Sequence, residues 1–175
     1  MLNPRVAVLI AMVLAAALTR LIPHPWNMTS IAAIALFGGA YFSDKWLAFL
    51  VPLTALFISD LALSGFYRGM EVVYLSFALI VGIGLWLQKH RTVWPIAGAA
   101  LASSVLFFAL TNLGVWAWSG MYPATVEGLV ACYTAALPFF TNTLMGDLFY
   151  TALLFGGFAL LESRFSLLQE STAHK

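Results

Sequence analysis

Asp60, in "LVPLTALFISDLAL", and Asp147, in "TNTLMGDLFY", are carboxylates set inside apolar runs. At the centre of a membrane helix such a residue costs roughly 2.5 to 3.5 kcal/mol, so each needs a partner, water or a functional use. Helical spacing widens both into stripes. Asp60, Ser64 and Tyr67 share one face, and Asn142, Thr143, Gly146, Asp147 and Tyr150 share another. Phe108, Thr111, Asn112 and Trp116 form a third at the same level, with Arg20, His24, Trp26 and Asn27 above them. Arg68, Tyr74, Ser76 and Tyr133 complete the candidate lining. Aromatic rings pack the flat parts of a small molecule while Asn and Asp hold its polar edge, so the chemistry expected is binding. The competing account is polar glue between helices, which suits Thr54, Ser59, Ser103 and Ser104 better. Arg20 or Arg68 is then a partner for one of the acids.

The elements that must position these groups follow from composition. Of 175 residues, 62% are hydrophobic and 9% charged, and the apolar runs have bilayer-spanning length. The runs are continuously apolar rather than alternating, which selects helices over barrel strands. The chain is therefore expected to be an all-α integral membrane bundle, one domain over 1–175. Its six transmembrane helices are expected at about 5–22, 30–43, 46–66, 72–88, 93–117 and 138–161. A short interfacial helix is expected in "TVEGLVACYTAAL", between helices five and six. Pro95 and Pro138 are read near helix starts, Pro52 as a kink inside the third helix.

Six crossings put both termini on one face. That face holds Arg5, Lys45, Lys89, Arg91, Arg164 and Lys175, while the other holds Arg20 and Arg68, so the positive-inside rule places both termini in the cytoplasm. At 1.5 Å per residue, Asp60 and Asp147 then lie roughly 9 to 14 Å below the outer surface. The inner halves are almost free of polar groups. A pore needs a polar lining throughout, so the pattern suggests capture from outside.

A net charge of +1 with no basic block argues against nucleic acid as a partner. The single cysteine, Cys132, excludes an internal disulfide. There is no Gly-x-x-x-x-Gly-Lys, His-Glu-x-x-His or Cys-x-x-Cys, so a Walker-type ATPase is excluded and no bound cofactor is expected. Asp60 and Asp147 as the acid and base of an intramembrane enzyme is an alternative. The match to aspartyl proteases is poor: "LMGD" lacks the first glycine of Gly-x-Gly-Asp, and Ser59 stands where tyrosine belongs. A noncatalytic membrane scaffold is a third reading. In the first helix Ala7, Ala11 and Ala15 make a smooth side for another helix, inside the bundle or in a separate subunit.

The six-helix outline and this alanine ladder resemble the S components of energy-coupling-factor vitamin transporters. More narrowly, "PHPWNMTSIAAIALFGGAYF", "LVPLTALFISDLAL", "LTNLGVW" and "ACYTAALPFFTNTLMGDLFYTALLFGGFALLE" are similar to small bacterial inner-membrane transport proteins that include the solitary vitamin B12 transporters called BtuM. The resemblance implies a vitamin-like substrate, with cobalamin or another corrinoid as one candidate. It implies that Ala7, Ala11 and Ala15 face a transmembrane coupling protein driven by ATPases, or that the protein works alone. It further implies that the His24 loop gates the site, where the imidazole could reach a corrinoid cobalt. One departure is specific: BtuM-type proteins carry a cobalt-ligating cysteine near the start of the fourth helix, and Ser76 stands in that neighbourhood.

Overall fold

The computed structural model describes residues 3–23, 25 and 27–169. They form six helices: α1 (Pro4–Leu18), α2 (Ile31–Tyr41), α3 (Lys45–Leu63), α4 (Met70–Leu87), α5 (Val93–Trp118) and α6 (Val126–Arg164), with no strand among them. All except α2 are long and apolar enough to cross a membrane. Large apolar side chains such as Leu18, Leu50, Ile58, Trp86, Leu101, Leu153 and Leu160 point outward. Soluble monomers rarely expose so much apolar surface, which is the surface that a membrane-spanning bundle presents.

Local chemistry sets the helix ends. Pro4 begins α1, where a missing amide hydrogen costs nothing, and the Asn3 side chain accepts from the Arg5 amide at 3.0 Å. Asp44 caps α3 by accepting from the Trp46 amide at 2.7 Å. Gly69, at φ 86°, turns the chain into α4.

Two expectations about the helices are corrected. First, α2 is not a full crossing. Eleven residues rise only about 17 Å, against a hydrocarbon core of about 30 Å. Every α2 residue is buried, and the helix sits at the centre of the bundle. Residues 27–30 make the upper part of this pass as irregular backbone, with Ser30 Oγ donating to the Ala16 carbonyl at 2.7 Å. Irregular backbone at that depth is tolerated because protein and a cavity, not lipid, surround it.

Second, the expected interfacial helix and sixth span are one 39-residue helix, with Pro138 in its interior rather than at its start. At 1.5 Å per residue it runs about 58 Å. Pro138 removes one helical hydrogen bond, yet tertiary contacts hold the segment before it. Tyr133 Oη donates to the Ala109 carbonyl at 2.6 Å, and Gly128 fits against Pro123 where a Cβ would collide. The connection from α5 shrinks to residues 119–125.

Glycines permit the tightest packing. Gly39 of α2 and Gly84 of α4 face each other, and a Cβ on Gly39 would lie 2.8 Å from the Gly84 Cα. Pro52 fills the space over Gly38, whose Cβ would meet its ring at 2.5 Å. At one end of the bundle Phe37 packs edge-on against Phe155 and Phe158 of α6, and Tyr41 edge-on against Phe158, with centroids 4.7 to 5.8 Å apart. There Arg5 pairs with Glu162, and Gln88 Nε2 donates to the Gly39 and Phe42 carbonyls at 3.0 Å each. This is the basic end, near which Lys45, Lys89, Arg91 and Arg164 also lie.

Candidate functional site

The opposite end of the bundle contains a cavity of about 180 Å³. The 3-10 turn Thr19–Leu21 that follows α1 brings Arg20 to one wall, and α6 brings Asp147 to another. Asn27 and Thr29 of the descending loop, Ile31 and Ala32 of α2, Leu56 of α3, Val73 and Phe77 of α4, Phe107 of α5 and Thr143 of α6 line the space between. Tyr67 enters from the connection between α3 and α4. A smaller cavity of about 120 Å³ adjoins it, sharing Asn27, Phe107 and Thr143, and adds Phe108, Thr111, Asn112 and Phe140.

Arg20 and Asp60 form an ion pair, Nη1 to Oδ1 at 2.8 Å, with side chains only 16% and 3% exposed. Ser59 accepts a second bond from the same Nη1. The other Asp60 oxygen accepts from Tyr67 Oη and Tyr74 Oη, each at 3.2 Å. Partial burial, and then the Asp60 carboxylate beside it, push the Tyr67 phenol up to about 12, so it remains a donor at ordinary pH. Asp60 thus stands behind Arg20, fully engaged.

Asp147 is also buried, but its environment differs. Ser104 Oγ donates to Oδ2 at 2.6 Å, and no Lys, Arg or His lies within ion-pair distance among the described residues. Asp60 and Asp147 do not bond to each other; each has its own partners.

The other expected site residues divide clearly. Asn27, Tyr67 and Asp147 line the main cavity and Asn112 the smaller one, although Asn112 Nδ2 donates to the Phe108 carbonyl of its own helix at 2.8 Å. Tyr74 and Asp60 support Arg20 from behind. Ser76 is buried, donating to the Val72 carbonyl at 2.7 Å. Trp116 Nε1 bonds the Pro123 carbonyl at 3.0 Å, and Tyr133 ties α6 to α5. Both serve the outer connection rather than the cavity. Arg68 is exposed and borders a neighbouring cleft of about 270 Å³ with Trp118 and Met121, which shares Tyr67 and Val73 with the main cavity. Asn142 is half-buried and lies on neither cavity wall. His24 and Trp26 lie outside the described residues. Ala7, Ala11 and Ala15 are all exposed along α1.

Sequence reasoning missed Thr29, Phe77 and Phe107 as lining, and it gave Ser104 a purely structural role without its partner, Asp147. No local signal marks them, because each matters through a neighbour on another helix.

Asn27 has φ 62°, the one positive value at a residue other than glycine among those described. Asparagine tolerates this better than most residues, and its place on both cavity walls ties the strain to the site. Asn27→Val is expected to cost about 1 to 2 kcal/mol and Asn27→Gly to be nearly neutral in detergent unfolding, since only the branched side chain clashes in this backbone.

A family of unknown function, DUF6580, matches residues 1–171, and the chain belongs to that family. No curated protein and no solved structure matches it.

Proposed function

We propose that this DUF6580 member is a transport protein that captures a small molecule at the cavity end of the bundle and passes it toward the basic end. The observation that carries this reading is the cavity with charged groups in its walls; near the basic end α5 and α6 border instead a mostly apolar groove of about 610 Å³ beside Tyr41 and Arg91. Arg20 and Asp147 stand across an apolar wall, while below them Ile34, Phe37, Ile80 and Val81 are fully buried and form a dry floor. Such a vertical division suits capture and release better than free conduction. The basic end carries Arg5, Lys45, Lys89, Arg91 and Arg164, so the positive-inside rule orients the cavity outward and the termini toward the cytoplasm of a bacterial inner membrane.

The cargo suggested by the volume of this cavity is small. Pockets that bury drug-sized ligands hold roughly 300 to 1,000 Å³. At about 180 Å³, this one suits a molecule below that class. A corrinoid would need a larger space than this, with Asn27 and Thr29 displaced from the wall; the resemblance offers His24 as its imidazole ligand. The exposed strip of Ala7, Ala11 and Ala15 leaves α1 open to a transmembrane coupling protein, which would supply the energy that this chain has no motif to capture.

The test is to purify the full chain in native lipid discs and identify what copurifies by mass spectrometry, beside the Thr143→Phe variant, which fills the cavity. A molecule enriched with the native chain and lost from the variant, with uptake of that molecule reduced at least about tenfold, supports transport. Equal uptake by a folded Thr143→Phe protein would overturn it.

A further inference from the structure

We propose that the cavity's ligand is a small organic cation whose positive charge rests on Asp147. The inference deepens the transport reading by assigning a charge to its cargo, and it stands on three observations.

The first is that Arg20, though it lines the cavity, already has its counter-charge. Its Nη1 is bound to Asp60 and Ser59, and Asp60's remaining oxygen takes Tyr67 and Tyr74. The pair is neutral as a unit, so an anionic ligand would have to compete with a buried carboxylate already 2.8 Å away.

The second is the asymmetry of Asp147. It is 3% exposed and belongs to the cavity wall, yet among the described residues its carboxylate takes one hydrogen bond, from Ser104 to Oδ2. Among the described residues, the other charged or titratable side chains lining the cavity are Arg20, already paired, and Tyr67. From α5 the carboxylate meets Ser104, while α2 contributes Ile31 and Ala32, and α4 Val73 and Phe77. An ionised carboxylate in such surroundings lacks a compensating charge, and a ligand cation would supply it.

The third is the aromatic content of the same wall. Phe77 and Phe107 lie 5.1 Å apart, and Tyr67 lines the cavity with them. Aromatic rings attract cations electrostatically, more strongly where water is excluded. A lone carboxylate among aromatic rings in a space of about 180 Å³ fits a protonated amine or small heteroaromatic cation.

Three near-isosteric probes separate charge from shape: benzylammonium, benzyl alcohol and benzoate. Binding to the full-length protein in lipid discs is measured by calorimetry and by the shift of the unfolding midpoint. Benzylammonium is expected to bind at least about tenfold more tightly than the alcohol, with benzoate weakest. Asp147→Asn, in which Ser104 can still donate to the amide oxygen, should bring amine and alcohol within about twofold of each other. Gly82→Ala, which leaves the carboxylate and its Ser104 bond untouched, should preserve the preference. Two results would overturn the assignment: a cation preference that survives in folded Asp147→Asn, or binding of none of the three up to about 10 mM. Tightest binding by benzoate, abolished by Thr143→Phe, would overturn the charge while leaving the cavity a binding site.

Discussion

Arg20→Ala is expected to destabilise the protein by about 3 to 5 kcal/mol, the largest loss from any single polar substitution in the bundle. Removing the guanidinium leaves Asp60, 3% exposed, with two tyrosine hydroxyls and no cation. The penalty is the isolation of a buried charge more than the loss of one bond, and that distinction can be measured. Asp60→Asn in the Arg20→Ala background should recover most of the stability, because a neutral amide still accepts from Tyr67 and Tyr74. A double-mutant cycle followed by unfolding in detergent should show strong coupling between the two positions. Independent, additive effects would mean that the pair does not form in the membrane. The cavity should suffer as well, since Arg20 forms part of its wall.

Gly84→Val should be the most damaging substitution in the apolar interior. A Cβ on Gly84 would collide with the Leu36 carbonyl and lie 2.9 Å from the Gly39 Cα, and backbone cannot yield as a flexible side chain does. Overpacking ordinarily costs about 1 to 3 kcal/mol; a collision between two helix backbones should reach or exceed the top of that range. Gly39→Ala should behave similarly, because its Cβ would strike the Val81 carbonyl. Gly82→Ala, two residues from Gly84 with nothing within 4 Å, serves as the control and should lie within about 0.5 kcal/mol of the native chain. Because α2 carries Ile31 and Ala32 into the cavity, separating it from α4 should also weaken ligand binding. Thermal unfolding and probe binding on the same samples would show both effects.

The contrast between these two predictions follows what could be read from the chain. Composition and long apolar runs are sums over neighbouring residues, so a helical membrane bundle, the ends of α3 to α5 within a few residues, and the burial of Asp60 and Asp147 were legible without coordinates. Proximity along the chain also made Asn27 suspect, between a turn and a buried helix. Hydropathy, however, treats a helix sealed inside protein like one facing lipid, which is why α2 read as a complete crossing. Proline reads locally as a boundary, so Pro138 concealed the continuity of α6, which Tyr133 and Gly128 secure through contacts with other segments.

Choice among polar partners lay further out of reach. Asp60 and Asp147 are equally expensive in hydrocarbon and Asn112 and Asn142 less so, but sequence spacing does not say which of the four meets the cavity. Pairing Arg20 with Asp60, leaving Asp147 to Ser104 and the cavity, and turning Asn142 away from it all depend on the rotation and depth of helices far apart in the chain. One-dimensional patterns specify which face of a helix must be hidden from lipid. The side chain it meets there is set by close packing between helices, at contacts such as Gly39 against Gly84.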